Sequence, residues 1–284
     1  GDTRRPMYAL IVSGVVNVIL NLLFVVVFHM GVAGAGLATV GANATSAVQI
    51  LYFLTHEELP IRLSFKSLTI DQDAVSKILK IGVPAGLQGM VFSLANVCIQ
   101  SGINSFGAGG IAGSAVELNY EYFAYYLVNA FAQTVVTFTG QNYGAGKYER
   151  IRRGILVCNG IAAAVLVVLS WSALAAGNWI LSAFCPDQQV VAEGMRIISV
   201  TFPVYFVYSL FEVTGGVVRG IGKSVPSMVI VIVNLCVIRI LMLEISDRVF
   251  HSVQAVAAVY PLTWLLATLS FVGYYLYVRK QMLQ

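Results

Sequence analysis

Glu117, Glu121, Tyr125, Asn129 and Gln133 recur at every fourth residue of the stretch 112–138. Each step of four residues turns about 40° around a helix, so the five form one slowly winding polar stripe. Such groups are costly in hydrocarbon unless they face a cavity or a partner. Carboxylates and carboxamides in that setting suit the holding of a proton or a cation. Tyr120, Tyr122 and Tyr126 add ring faces that attract cations. A second ladder of Asn96, Gln100 and Asn104, with Gln88 below it, has no acid between Lys80 and Ser105. In a third segment Tyr205, Tyr208, Glu212 and Arg219 share a face, and Pro203 is expected to kink the helix. Glu212 reads either as a carboxylate for a proton or cation, or as a structural partner of Arg219. Their seven-residue spacing, roughly 10 Å along a helix, favours a separate partner for each. Arg239 lies at a depth similar to that of Glu121, and the two are expected to approach and share charge. In that reading the carboxylate alternates between Arg239 and a proton or incoming cation; the other reading is a static ion pair that fixes packing. Glu117 and Glu244 sit nearer the outer surface and are expected to be solvated.

The elements that must position these groups are membrane spans. Apolar residues make up 58% of the 284 and charged residues 11%, with a mean hydropathy of +0.82, against roughly 25% charged in a soluble domain. Windows near the roughly 20 residues that cross a bilayer fall at 7–29, 32–55, 78–104, 112–138, 151–176, 190–217, 225–245 and 252–278. A transmembrane barrel needs alternating segments of about 10 residues, and Ile161 to Leu169 (IAAAVLVVL) does not alternate. The expected fold is all-α and polytopic, with eight spans.

Orientation follows from the cations. With residue 1 inside, the cytoplasmic segments carry Arg4, Arg5, Arg62, Lys66, Lys77, Lys80, Lys147, Arg150, Arg152, Arg153, Arg219, Lys223, Arg279 and Lys280, which is 14 of 17. Both ends are therefore expected in the cytoplasm of a multi-pass protein of the inner (plasma) membrane. The net charge of +4 then has a membrane origin, and no basic stretch interleaved with stacking aromatics suggests nucleic acid. Cys98, Cys158, Cys185 and Cys236 form no C-x-x-C pair and read as small apolar packers. The sequon at Asn43 lies within a span. The chain opens on Gly1 as though in mid-loop, which suggests a piece of a longer protein.

Residues 140–154 (GQNYGAGKYERIRRG) read as a compact cytoplasmic connector between two hairpins, with glycines that permit a tight turn. As a phosphate-binding loop it is one residue too long, and Tyr148 stands where a magnesium-holding Ser or Thr is needed. A repeat at a lag of about 220 residues relates residues 1–7 (GDTRRPM) to Gly222–Met228 (GKSVPSM), each placing a proline, Pro6 or Pro226, at a helix start. The first two spans thus match the last two. Repeats of this kind mark the halves of transporters around a central path.

The connector at 140–154, the segment Ile78 to Gln88 (ILKIGVPAGLQ), the segment Arg219 to Pro226 (RGIGKSVP) and Ala258 to Trp264 (AVYPLTW) together resemble the multidrug and toxic compound extrusion (MATE) family. The resemblance covers essentially the whole chain and implies helices five to twelve of a twelve-helix, two-lobe transporter. Residues 1–57 would be the last two helices of the first lobe, 58–77 the cytoplasmic linker, and 78–284 the complete second lobe. It implies secondary active export of an organic cation by alternating access, in exchange for sodium ions or protons, with no other cofactor. The chain would need the missing first-lobe helices as partners and be inactive alone. The site residues expected to carry ion coupling or substrate are Glu121, Glu212, Arg239, Tyr120, Tyr125, Asn129, Gln133, Asn96, Gln100, Tyr205 and Tyr208. The third span lacks the coupling glutamate that sodium-linked members can carry there, so the choice of ion stays open.

Two other functions compete. A lipid-linked sugar or polysaccharide flippase would line its path with several cations, and the spans hold essentially one, Arg239. Membrane-embedded hydrolytic or metal chemistry fits poorly. His29, His56 and His251 sit at span ends, without H-E-x-x-H or paired Cys/His spacing.

Overall fold

A computed structural model of the chain describes residues 4–57, 62–65, 69–104, 107–250 and 252–282. Gly1, Lys66, Ser105 and His251, named above, lie outside the described residues, as do residues 1–3 of the repeat and 58–61 and 66–68 of the expected linker. Among those described, the ordered elements are helices, and all eight apolar windows fall on them. The chain divides into two compact units, residues 1–71 and 72–284.

The first unit is a hairpin of α1 (Arg4–Asn21) and α2 (Gly31–Thr55), with a π-helical turn at Leu22–Val27 extending α1. Pro6 stands in the first turn of α1, where it interrupts no internal hydrogen bond. The buried face of α2 is a stripe of small residues, Gly34, Ala38 and Ala42, and that of α1 is Ala9 and Ser13. Small residues allow close approach where the surrounding lipid is as apolar as the side chains, and dispersion must hold the pair. Glu57 and Arg5 form an ion pair at the open end of the hairpin.

The second unit holds α3 (Gln72–Asn104), α4 (Gly107–Gly144), α5 (Tyr148–Phe184), α6 (Gln188–Thr201), α7 (Phe206–Gly220), α8 (Ser224–Ile232), α9 (Arg239–Phe250) and α10 (Val253–Met282). Helix α4 is central and packs on α5, α6 and α7, while α3 packs on α8 and α9, and α10 on α6, α7 and α9. Six helices among the described residues are long and apolar enough to cross a membrane, and the bent pair α6–α7 makes a seventh. Helix α4 is the difference from the expected count. Its 38 residues exceed a bilayer crossing, but the polar ladder keeps it from qualifying on apolarity. The α6–α7 pair bends by 53° around a short 3₁₀ segment at Phe202–Val204, because Pro203 cannot continue the helical ladder. A π-helical turn at Val233–Ile238 joins α8 to α9 and places Arg239 immediately after it.

The connector expected over 140–154 is shorter than read: α4 continues through Gly144 and α5 starts at Tyr148. Three residues make the turn. The Gly146 N–H donates to the Tyr143 carbonyl (3.0 Å) and the Lys147 N–H to Asn142 (2.8 Å), with Gly146 at φ 67°. This paired bonding closes a helix end on a left-handed residue, which glycine adopts at least cost. The α7–α8 turn repeats it residue for residue. Gly222, at φ 80°, donates to Arg219 (2.9 Å), and Lys223 donates to Val218 (3.1 Å). The two turns read G-A-G-K and G-I-G-K, and they lie at one end of the unit, since a Cβ on Gly140 would come within 3.4 Å of the Gly220 carbonyl.

Candidate functional site

Most of the predicted site residues in the second unit gather around two adjoining cavities. The first, about 430 Å³, is lined by Phe92, Ser93, Asn96, Val97 and Gln100 of α3, Leu118, Glu121, Tyr122 and Tyr125 of α4, Tyr208 of α7, Arg239 of α9, and Tyr260 and Trp264 of α10. The second, about 360 Å³, is bounded by Gln88, Gln133, Glu212, Arg219 and Ser224, and shares Phe92, Tyr125 and Tyr208 with the first. Those three rings separate the two chambers. Tyr125 and Tyr208 stack with centroids 6.5 Å apart and planes at 25°.

In the first chamber Glu121 Oε1 accepts a hydrogen bond from the Tyr205 hydroxyl (3.1 Å). Tyr205 is buried and is wedged between Phe202 (5.2 Å between centroids), Tyr208 (5.5 Å) and Trp264 (5.2 Å). Aromatic packing thus fixes the donor, and the donor aims the carboxylate. Arg239 is fully buried. Its Nε and Nη2 donate to Thr263 Oγ1 at 3.1 and 2.9 Å, and its guanidinium lies 5.0 Å from the Tyr260 ring centroid and 6.0 Å from that of Phe92. Glu121 and Arg239 face one cavity, yet no ion pair joins them among those of the described residues. Tyr205 bonds the carboxylate and Thr263 the guanidinium, so the two groups act on each other through charge alone, without direct contact.

The second chamber holds the pair that the spacing argument kept apart. Arg219 Nη2 lies 3.1 Å from Glu212 Oε2, and both side chains are largely buried. The arginine folds back along its own helix. Gly215, one turn before it, leaves that path open, since a Cβ there would stand 3.4 Å from Nη1. Across the chamber the Ser227 hydroxyl reaches Gln88 Oε1 at 3.5 Å.

Of the residues predicted for the site, Glu121, Tyr125, Tyr208, Asn96, Gln100 and Arg239 line the first chamber, and Glu212 and Gln133 the second. Tyr205 acts from behind, through Glu121. Tyr120 does not belong to the site: it packs on Phe202 at 5.5 Å and donates to the Leu169 carbonyl, within a core of Val191, Ile198 and Leu181. Asn129 spends its amide on the Tyr125 carbonyl (2.9 Å) and lines neither of the two chambers. Glu117, expected to be solvated, is 5% exposed, because α6 crosses α4 closely one turn away, at Gly113 and Gly194. Glu244 is exposed as expected and pairs with Arg248. The sequence reading passed over Phe92, Tyr260, Thr263 and Trp264. The four-residue spacing of Tyr260 and Trp264 was the available signal, since it stacks two rings on one face. Among the described residues no group of three His, Cys, Asp or Glu side chains is placed to hold a metal ion.

Comparison with known proteins agrees with this architecture. The chain is 24% identical over 292 aligned positions to the Probable multidrug resistance protein YoeA of Bacillus subtilis, covering 99% of this chain and 62% of that protein. It is 22% identical to the Multidrug export protein MepA of Staphylococcus aureus, covering 84% of the chain and 52% of MepA. The chain thus spans between about half and two thirds of the length of these relatives. Among solved structures, a MATE protein in complex with MaL6 superposes with a TM-score of 0.90 at 16% identity, over 97% of this chain and 63% of that one. The Vibrio cholerae MATE transporter VcmN in its bent form superposes with a TM-score of 0.84 at 17% identity, over 99% and 64%. A transporter of the MOP superfamily from Pyrococcus furiosus, whose description reports reverse polarity of its binding pocket, gives 0.89 at 17%, over 98% and 63%. The MatE family profile matches residues 84–243, more than half of the sequence, and the chain belongs to that family.

Proposed function

We propose that the chain forms the solute-binding lobe, with two further helices, of a secondary active antiporter that exports organic cations across the inner (plasma) membrane in exchange for sodium ions or protons. The observation that carries this reading is the first chamber, where Glu121 is held by Tyr205 and ringed by Tyr122, Tyr125, Tyr208, Tyr260 and Trp264. A carboxylate in an aromatic box binds a cation through both charge and ring faces. Moving the Phe92, Tyr125 and Tyr208 partition would pass a solute between chambers, as alternating access around a midplane site requires. The basic turns at 145–147 and 221–223 face the cytoplasm in this reading, and helices supplied by the rest of the transporter complete the path. A lipid-linked sugar flippase would need several cations free for phosphate. Of the two arginines at the chambers, Arg219 is already paired to Glu212.

The test is efflux of a dye cation by the full-length protein in vesicles, with sodium and proton gradients imposed separately. Glu121→Gln and Glu212→Gln are each expected to slow gradient-driven efflux about tenfold or more, the scale of a charge-assisted hydrogen bond lost from a desolvated site. Unchanged coupled efflux in both variants would remove these residues from the mechanism.

A further inference from the structure

The Arg239 guanidinium is unusual in how little of its bonding capacity is used. Two of its N–H groups go to a single atom, Thr263 Oγ1, whose own hydrogen is directed back at the Val259 and Tyr260 carbonyls (2.9 and 3.0 Å). Nη1 is buried and has no partner. Burying a charged donor without a partner is among the more costly arrangements a protein can hold. Here it is built rather than incidental. The Thr263 hydroxyl, bonded to its own helix, can only accept from the arginine, which fixes the fork. The Tyr260 ring, 5.0 Å away, supports its face, and the residue lines the first chamber. Glu121 lines the same chamber and bonds to Tyr205 instead. Asn96 Oδ1, also on the chamber wall, is likewise buried without a partner.

We propose that Nη1 of Arg239 is the binding group for the anionic moiety of an amphoteric aromatic solute, a carboxylate or its equivalent, while Glu121 faces the cationic moiety of the same molecule. A planar fork presents paired N–H donors matched to carboxylate oxygens. The chamber then selects molecules that carry both charges over simple cations. This rests on the cation-binding reading of Glu121 given above, and it goes beyond that reading in assigning the second charge.

The test uses a dye pair that differs only in the anion. Rhodamine B carries a xanthylium cation and a free carboxylate, and its ethyl ester keeps the cation alone. Binding of each to the full-length protein in detergent is followed by dye anisotropy. Wild type is expected to bind rhodamine B about tenfold or more tighter than the ester, in line with a charge-assisted hydrogen bond. Arg239→Lys, which keeps the charge but loses the fork, should reduce that ratio several-fold. Thr263→Val, which keeps the shape but frees the fork, should do the same while leaving the charge in place. Equal affinity for the two dyes, preference for the ester, binding of neither, or a ratio unchanged in both variants overturns the proposal. Glu121→Gln separates the two readings. If it leaves both dye affinities unchanged while Arg239→Lys abolishes the preference, the cation-binding reading falls and the anion site stands. If it weakens both dyes equally and wild type shows no preference, the reverse holds.

Discussion

Arg219 and Glu212 show how far side-chain length can override helical spacing. Seven residues place the two α-carbons roughly 10 Å apart, yet the flexible arginine, folding back over Gly215, closes the gap to 3.1 Å. Periodicity reveals which residues share a face, and says nothing of how far a long side chain reaches along it. Because both side chains are mostly buried, losing one partner leaves the other charge without compensation. We expect Glu212→Gln and Arg219→Met each to destabilise the purified protein by about 1.5–3 kcal/mol, read as a fall in unfolding temperature in detergent. The double variant should cost clearly less than the sum, which is the signature of a direct pair; additive losses would show that the contact contributes nothing. The polar stripe of α4 was legible for the same reason that the pair was not. Its four-residue recurrence is a property of one helix. Which neighbour covers which rung depends on the crossings, and the α6 crossing buries Glu117 and Tyr120 while Glu121 stays on the chamber wall.

The helix boundaries depend on a few backbone contacts. Helix α7 crosses α4 so closely that a Cβ on Gly220 would come within 2.8 Å of both Thr139 Cβ and the Val136 carbonyl. The carbonyl belongs to a helix ladder and cannot turn aside, so the helices must separate or bend. Gly220→Ala is therefore expected to cost on the order of 1–3 kcal/mol, the range of an overpacked core, and to lower the unfolding temperature. Gly144, at the end of the same α4, has open space around its Cβ position. Gly144→Ala should leave stability unchanged or raise it by up to about 1 kcal/mol through helix propensity. Equal effects at the two positions would overturn the crossing argument. Sequence patterning placed all eight apolar windows on helices, although α4 is too polar to qualify as a span, and it caught the Pro203 bend because proline cannot continue the helical ladder. It overextended the turn at 140–154, since glycines and cations at a helix end resemble those of a loop. Only the hydrogen bonds at Gly146 and Gly222 show that both G-x-G-K segments are the same helix stop.

At the scale of the whole molecule, orientation is the property on which the proposed transport direction depends. In the second unit the charges separate by end. Lys147, Arg150, Arg152 and Arg153 cluster where α5 begins, Arg219 and Lys223 flank the neighbouring turn, and the last turn of α10 carries Arg279 and Lys280. Tyr275 of α10 packs on Ile151 and Ile155, which brings that last turn to the same end. Arg152 and Arg219 at this end pair with Glu149 and Glu212 and leave the other cations in excess, whereas at the opposite end Arg196 pairs with Glu193 and Arg248 with Glu244. Excess Lys and Arg mark the cytoplasmic face of a span, and this cluster, shared by the ends of α5, α7, α8 and α10, is what the proposed orientation rests on. Single-cysteine variants Ala145→Cys and Lys223→Cys, in a background with Cys98, Cys158, Cys185 and Cys236 replaced by serine, should react with a membrane-impermeant maleimide only in inside-out vesicles. A cysteine at Gln188, beyond the far end of α5, should react only in right-side-out vesicles. The reverse pattern would invert the proposed direction, and labelling of Ala145→Cys and Lys223→Cys from opposite sides would contradict the close approach of Gly140 to the Gly220 carbonyl that sets both turns at one end.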